Sequence, residues 1–356
     1  MDAARGVMSM NERVSRTAED LAEADLIEPE RIAALDKVAA RYAVAITPHI
    51  RDLIGDGGPD NPIARQFVPH ETELDAAAIE SADPIGDERH SPVEGIVHRY
   101  RDRVLLKLTR VCAVYCRFCF RRETVGRGKS QVLSPCALDR AIAYIRAQPE
   151  IWEVIVTGGD PFVLSPRRLA DVKSRLSGIG HVKVLRWHTR VPIVDPKRIT
   201  SKLVRAIATH DRAAFVAVHV NHARELSPDV RRACARLIDA GIPLLSQSVL
   251  LRGVNDDADT LEALMRALVE TRIKPYYLHH PDLARGTAQF RTTIAEGQTL
   301  IRELRGRASG LCQPGYVLDI PGGHAKANLA PSDIDGEAGS YRLRDGNACW
   351  HSYPLD

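Results

Sequence analysis

The sequence predicts an α/β fold, a partial (βα)6 barrel, on three observations. Short apolar runs alternate with amphipathic segments from about residue 104 onward. The apolar runs have strand length and the segments between them have helix length. Helix-start signals precede several of the amphipathic segments. This alternation reads as a parallel sheet with helices outside. Six consecutive units fit an incomplete, TIM-like barrel better than a full (β/α)8. A doubly wound open sheet is the alternative that periodicity leaves open.

Residues 11–45 read as helical, with Val14, Leu21, Leu26, Ile32 and Leu35 spaced among charges. Gly55 to Pro62 is a loop by composition. Residues 63–95 carry Pro, Asp and Glu in short clusters and read as an irregular approach segment. The expected strands are Val104–Val111, Glu153–Thr157, Lys183–Thr189, Ala214–Val220, Pro243–Leu250 and Pro275–His279. The expected helices are about 136–148, 165–176, 198–209, 227–240, 257–271 and 293–305. Ser165-Pro166 and Ser227-Pro228 set Ser at the N-cap and Pro at the first helical position. Gly241 stands where a helix stop belongs. The expected organisation is a mainly helical segment over 1–95, the barrel over 96–305 and a C-terminal segment over 306–356.

Composition narrows the function. The 356 residues are 44% hydrophobic, enough for a sizeable core, and 49 basic against 46 acidic residues leave a net charge of +3. That balance argues for neither nucleic-acid nor membrane-surface binding. No run approaches the roughly 18 apolar residues of a membrane span, so the expectation is a cytoplasmic protein. Seven cysteines, an odd number, do not suggest a disulfide framework, and three of them fall between Cys112 and Cys119. Cys136 and Cys234 fall on expected helices and read as small core residues.

Cys112-Ala-Val-Tyr-Cys116-Arg-Phe-Cys119 follows the first expected strand. In parallel barrels the loops after strands build the active site. Three thiolates at this spacing can hold three irons of a [4Fe–4S] cluster and leave the fourth open. An incomplete zinc site or three buried cysteines are the bland readings. Structural zinc usually takes four ligands, often from two Cys-x-x-Cys pairs, and no second pair exists.

Other segments gather around that one. Thr157-Gly158-Gly159-Asp160-Pro161 follows the second expected strand, with glycines that allow close backbone approach and a carboxylate that can accept from an ammonium. His219 follows the fourth, within His219-Val-Asn221-His222, and Gln247 lies in the fifth; either could simply be a polar residue lining a barrel mouth. Asp319-Ile-Pro-Gly-Gly-His-Ala-Lys326 sets a lysine after a Gly-rich turn, where it could form a Schiff base with an aldehyde. A loop lysine is more often just solvated. His98-Arg99-Tyr100-Arg101-Asp102-Arg103 precedes the first expected strand and offers arginine forks suited to phosphate.

Together these motifs resemble the lysine 2,3-aminomutase family of the radical S-adenosylmethionine (SAM) superfamily. The likeness runs from about residue 45 to 330 and includes Asn61–Phe67, Arg252–Asp256 and Gly286–Arg291. It implies an isomerase with three cofactors: a [4Fe–4S] cluster on Cys112, Cys116 and Cys119; SAM near Gly158, Gly159, Asp160, His219 and Gln247; and pyridoxal phosphate (PLP) on a catalytic Lys326, its phosphate near Arg99, Tyr100 and Arg103. It implies a substrate carboxylate on Arg121 and a substrate ε-ammonium on Asp282 and Asp319. The implied reaction moves the α-amino group of L-lysine to carbon 3. Glutamate on the same machinery is the nearest alternative, and a non-catalytic iron–sulfur or zinc protein is the alternative of another class. The resemblance further implies a one-electron donor such as flavodoxin or ferredoxin, a homo-oligomer, and β-lysine as a supply for modifying elongation factor P.

The sequence also departs from the family. Two glycines of the family's Pro-Gly-Gly-Gly-Gly-Lys loop are His324 and Ala325 here, neither of which tolerates positive φ as glycine does. Asp257 stands where long members place a zinc-ligand cysteine, and Cys349 is isolated near the C-terminus. No structural zinc is expected.

Overall fold

Nine strands form one sheet, in chain order from edge to edge. They are β1 (Ile96–Tyr100), β2 (Arg103–Thr109), β3 (Glu153–Gly158), β4 (Val184–Thr189), β5 (Ala213–His219), β6 (Leu244–Val249), β7 (Ile273–His279), β8 (Gly315–Asp319) and β9 (Lys326–Asn328). The computed structural model describes residues 13–58, 61–128, 131–337, 340–345 and 349–353. Residues 11–12 of the expected N-terminal helix and 59–60 of the expected loop lie outside these.

Strands β2 to β8 run parallel, and β1 and β9 close the two edges antiparallel to their neighbours. The six expected strands are β2 to β7, and the six expected helices follow them within a few residues. The sheet is thus the expected partial barrel, extended beyond six units by β8 and flanked by β1 and β9. Side-chain caps explain the helix starts. Ser134, Ser165, Thr200, Ser227, Asp257 and Thr293 each accept a backbone N–H of the first turn. Such caps stabilise by about 1 kcal/mol each.

Helices cover the outer face of the sheet, and the strands alternate accordingly. In β4, Leu185 and Trp187 join the apolar core, whereas Arg186 and His188 line the inner cavity. The N-terminal segment shares that core through Leu21, Leu35, Val38, Ile46 and Ile50, all fully buried. Each such side chain stabilises by roughly 1.5–3 kcal/mol. Its helical reading breaks into Ala18–Glu23 and Ile32–Arg41, because Asp25 takes a positive φ of 54° and Pro29 starts a new turn. Cys234 is buried as expected, but Cys136 is exposed. It directly follows Pro135 in the first turn of its helix, before the buried stripe that begins at Ala137.

Beyond β9 a separate antiparallel sheet joins β10 (Ile334–Glu337), β11 (Ser340–Arg344) and β12 (Trp350–Tyr353). Ile334, Trp350 and Tyr353 are exposed on it.

Candidate functional site

The C-terminal ends of the parallel strands surround a cavity of about 530 Å³. Every site residue named from the sequence lines it: Arg99, Tyr100, Arg103, Cys112, Cys116, Cys119, Arg121, Gly158, Gly159, Asp160, His219, Gln247, Asp282, Asp319 and Lys326. Residues far apart in the chain meet here because the parallel register aligns strand ends. His219 of β5 pairs in register with Gln247 of β6.

At one end lie the three cysteines. Burial pushes the Cys112 thiol up, and the nearby Asp160, Cys119 and Cys116 add to that. Burial, then Cys116, pushes the Cys119 thiol up to about 11. Bound iron would reverse this, since a coordinated thiol is deprotonated. Among the described residues no group of His, Cys, Asp or Glu converges tightly enough for a single metal ion. A four-iron cube spreads its cysteine sulfurs more widely than one ion does, so three thiols around a shared cavity fit the cluster. Phe118, the aromatic before Cys119, stacks on His219 with ring centroids 5.5 Å apart. The His219 Nε2 is buried with no partner, which fits a ligand contact, and burial with nearby Arg190 keeps the ring neutral by pushing its pKa well down.

The Gly-Gly-Asp turn behaves differently from its sequence reading. A Cβ on Gly158 would sit 2.3 Å from the Thr109 carbonyl oxygen, and one on Gly159 2.3 Å from that of Val111. The glycines therefore admit another stretch of this chain, the entry to the cysteine loop. The Asp160 N–H donates to the Val111 carbonyl at 2.8 Å. The Asp160 carboxylate is not free for an ammonium. It accepts from Phe162 N at 2.9 Å, Thr189 Oγ1 at 2.7 Å, Arg190 N at 2.6 Å and Val191 N at 3.2 Å. These four donors use the roughly four lone-pair sites of a carboxylate. Asp160 holds the turn in place, and what the motif offers a ligand is backbone.

At the other end charges pair with one another. Asp319 and Lys326 are direct cross-strand partners in the β8–β9 register, and the ammonium contacts the Asp319 carboxylate. Arg99 Nη1 is 3.3 Å from Asp319, and Arg99 Nη2 is 3.3 Å from Asp87 and donates to the Ile85 carbonyl at 2.8 Å. Arg121 Nε donates to Asp87 at 2.8 Å, and Lys107 lies 3.7 Å from the same carboxylate. Arg103 stacks over Tyr100, 3.8 Å from the ring centroid, and bonds to Asp102. The Tyr100 hydroxyl is buried and unpaired. Burial pushes the Asp319 carboxyl up, but His279 and Lys326 outweigh that and hold it well below the usual range. Asp282 is the contrast. Burial, then the Asp319 charge, pushes it up to about 7, and no described residue donates to it.

The lysine turn explains its own substitutions. Only Gly322 and Gly323 take positive φ there, at 83° and 78°. His324 and Ala325 adopt ordinary backbone, so they do not strain the loop. A Cβ on Gly323 would meet the Ile85 carbonyl oxygen at 2.5 Å. The irregular segment before β1 thus crosses the mouth of the barrel and seats the turn.

Several participants escaped the sequence reading. Asp87, His188, Arg190, Glu225 and His279 hold or line the site. His188 Nε2 is buried without a partner, and burial, then Arg186 and Arg121, pushes its pKa well down. A charged or imidazole group inside an otherwise apolar strand, as in Leu185-Arg-Trp-His188, was the available signal.

A model of the radical SAM superfamily matches residues 106–265. The L-lysine 2,3-aminomutase of Acetoanaerobium sticklandii is 40% identical over 318 residues, 89% of this chain and 76% of that protein. The L-lysine 2,3-aminomutase of Escherichia coli K12 is 38% identical over 293 residues, 81% of this chain and 83% of that protein. The glutamate 2,3-aminomutase of Clostridioides difficile is 34% identical over 307 residues, 86% and 72% of the two chains. A [4Fe–4S] cluster and SAM are the cofactors of the superfamily, and the cavity has three half-buried thiols and an imidazole nitrogen without a partner, His219 Nε2, to receive them. Likeness of this extent across most of both chains means that this isomerase belongs to the lysine 2,3-aminomutase family of the radical SAM superfamily.

Proposed function

We propose that the chain converts L-lysine to β-lysine by moving the α-amino group to carbon 3. The observation that carries lysine over glutamate is the pair of carboxylates, Asp282 and Asp319, sharing one cavity with Arg121. A lysine side chain ends in a cation, and burying it unpaired costs several kcal/mol. Asp282 and Asp319 would receive the ε-ammonium while Arg121 holds the carboxylate. Glutamate would bring a carboxylate against two like charges.

In this reading Cys112, Cys116 and Cys119 hold the cluster. Gly158, Gly159, Asp160, His219 and Gln247 form the SAM side, with Asp160 acting through the backbone it fixes. Lys326 carries PLP, and Arg99, Tyr100 and Arg103 face the phosphate. When bound, these groups supply a carbon-centred radical and an electron-delocalising ring. The protein orients the substrate between Arg121 and the two aspartates, and the apolar walls exclude water. Arg121 and Arg99 must trade their bonds to Asp87 for ligand oxygens, an exchange of one ion pair for another. The proposal includes a one-electron donor protein such as flavodoxin or ferredoxin, a homo-oligomer, and elongation factor P as the destination of the β-lysine. None of the helices described is long and apolar enough to cross a membrane.

The test is to assay lysine, arginine, glutamate and alanine with the reconstituted wild type, Asp282→Asn and Asp319→Asn. Lysine should be preferred, and each variant should lose roughly two to three orders of magnitude in kcat/KM, the equivalent of ~3–5 kcal/mol. Preference for glutamate, or unchanged lysine turnover in both variants, overturns the assignment.

A further inference from the structure

Arg190 belongs to none of the motifs legible in the sequence, yet it touches four of the segments around the cysteines. It lies one residue beyond β4 and is 6% exposed. Its Nη1 donates to Cys116 Sγ at 2.8 Å. Its Nη2 donates to Gln66 Oε1 at 2.6 Å and to Glu225 Oε2 at 2.7 Å. Its backbone N–H donates to Asp160 at 2.6 Å. Glu225 also accepts from the N–H groups of Asn221 and His222, at 2.8 and 2.9 Å, and from Gln66 Nε2 at 3.2 Å. The guanidinium carbon lies 4.5 Å from the Phe67 ring centroid and 5.4 Å from that of Phe118. Both terminal nitrogens and the flat face of the guanidinium are therefore held, while Nε is buried without a partner.

A buried guanidinium needs an anion to offset its lost hydration, and Glu225 is that anion. The other nitrogen points at a sulfur. A neutral thiol is a weak acceptor, whereas a thiolate accepts strongly from a cation. A donor so placed suits a sulfur that carries charge. Hydrogen bonds to cysteine sulfurs and local charge are among the levers that set an iron–sulfur potential.

We propose that Arg190 is a positioning residue that raises the reduction potential of the cluster by hydrogen bonding to Cys116, and that Glu225 restrains that effect. The proposal rests on the reading of Cys112, Cys116 and Cys119 as cluster ligands. The reduced cluster carries one more negative charge than the oxidised one. A cationic donor at Cys116 stabilises that extra charge, and a carboxylate paired with the donor opposes it. One electron enters from a one-electron donor protein or from dithionite. No bond is made or broken at Arg190 and no proton moves.

The two residues should therefore act in opposite directions, which a merely structural pair would not. The experiment reconstitutes wild type, Arg190→Met, Arg190→Lys and Glu225→Gln anaerobically, measures iron and sulfide per chain, and follows the midpoint potential by EPR. Arg190→Met should lower the midpoint by about 59 mV, a tenfold change in the one-electron equilibrium. Glu225→Gln should raise it, and Arg190→Lys should fall between Arg190→Met and the wild type. Unchanged potentials in loaded variants, or shifts of one sign in Arg190→Met and Glu225→Gln, overturn the proposal. Should Arg190→Met fail to hold a cluster, Arg190→Lys and Glu225→Gln decide by the same signs. A wild type that takes up no cluster overturns the ligand assignment instead.

Discussion

The two ends of the cavity use polar groups in opposite ways. At the cysteine end the carboxylates are spent on the protein itself. Asp160 accepts from four donors of the chain, and Glu225 ties Arg190 to the Asn221–His222 turn. Beside these fixed groups the cavity there is lined by the three thiols, the His219 imidazole and the Gln247 amide. At the lysine end the charged groups face inward and pair with one another, as Arg99, Arg121, Asp87, Asp319 and Lys326 do, while Asp282 accepts no bond from a described residue. A site that holds a metal cluster needs a rigid frame. A site through which a small charged molecule passes needs partners that can be exchanged. The contrast matches the proposed division between cluster and SAM on one side and substrate on the other.

The sharpest way to break this comparison is to remove a ligand at the rigid end. Cys112→Ala, Cys116→Ala or Cys119→Ala should abolish SAM cleavage and lower the iron content, whereas Cys234→Ala and Cys136→Ala should do neither. Iron near four per chain with intact SAM cleavage in Cys116→Ala sinks the ligand assignment. At the exchangeable end Lys326→Ala should lose turnover by three or more orders of magnitude, about 4 kcal/mol or more, while keeping its cluster. Borohydride treatment of PLP-loaded wild type should leave the label on Lys326, and peptide mapping that finds it elsewhere removes the residue from its role.

A gentler test asks whether the Gly-Gly-Asp turn serves the frame. Gly159→Ala would force a Cβ against the Val111 carbonyl, so both melting temperature and cluster uptake should fall. An unperturbed melt with normal iron would show that the turn has slack.

The smallest expected effect is on stability and concerns Asp282, whose carboxyl is raised from 3.8 to about 7. A folded-state pKa above the unfolded one means the protonated form suits the fold. The cost of ionising it is absent below about pH 4, grows as pH rises, and is fully present above pH 7. Asp282→Asn should therefore gain several degrees in Tm over the wild type at pH 8 and almost nothing at pH 4. The same ionisation should make kcat/KM for lysine climb through pH 7 in the wild type, with that limb missing from Asp282→Asn. Equal Tm differences at both pH values contradict this placement of the charge.

The barrel was legible because its strands set apolar core residues in short runs of strand length and the helix caps are local. Strand β1 was not, since Ile-Val-His-Arg-Tyr mixes core and cavity residues over five positions. Strand β8 hid because it is equally short and merges with the loop before Lys326. The site divides along the same line. Cysteines and glycines with close spacing stand out in a sequence. Asp87 and Arg190 do not, because their partners are scattered along the chain, Arg121 at 34 residues from Asp87 and Cys116 at 74 residues from Arg190. The bonds that hold Asp160 were hidden for a related reason: its donors Arg190 and Val191 come from the end of the next strand.

The approach segment and the lysine turn close on each other late in the chain. Arg89 contacts the Gly322 carbonyl across 233 residues, and a ribosome needs on the order of tens of seconds to add that many. The nascent chain therefore displays Cys112, Cys116 and Cys119 well before the hairpin that seals the opposite side of the cavity exists. Iron–sulfur delivery has a window during synthesis in which the thiols are reachable and the lysine that would carry PLP has not been made, so assembly can proceed in a fixed order, metal first and aldehyde second.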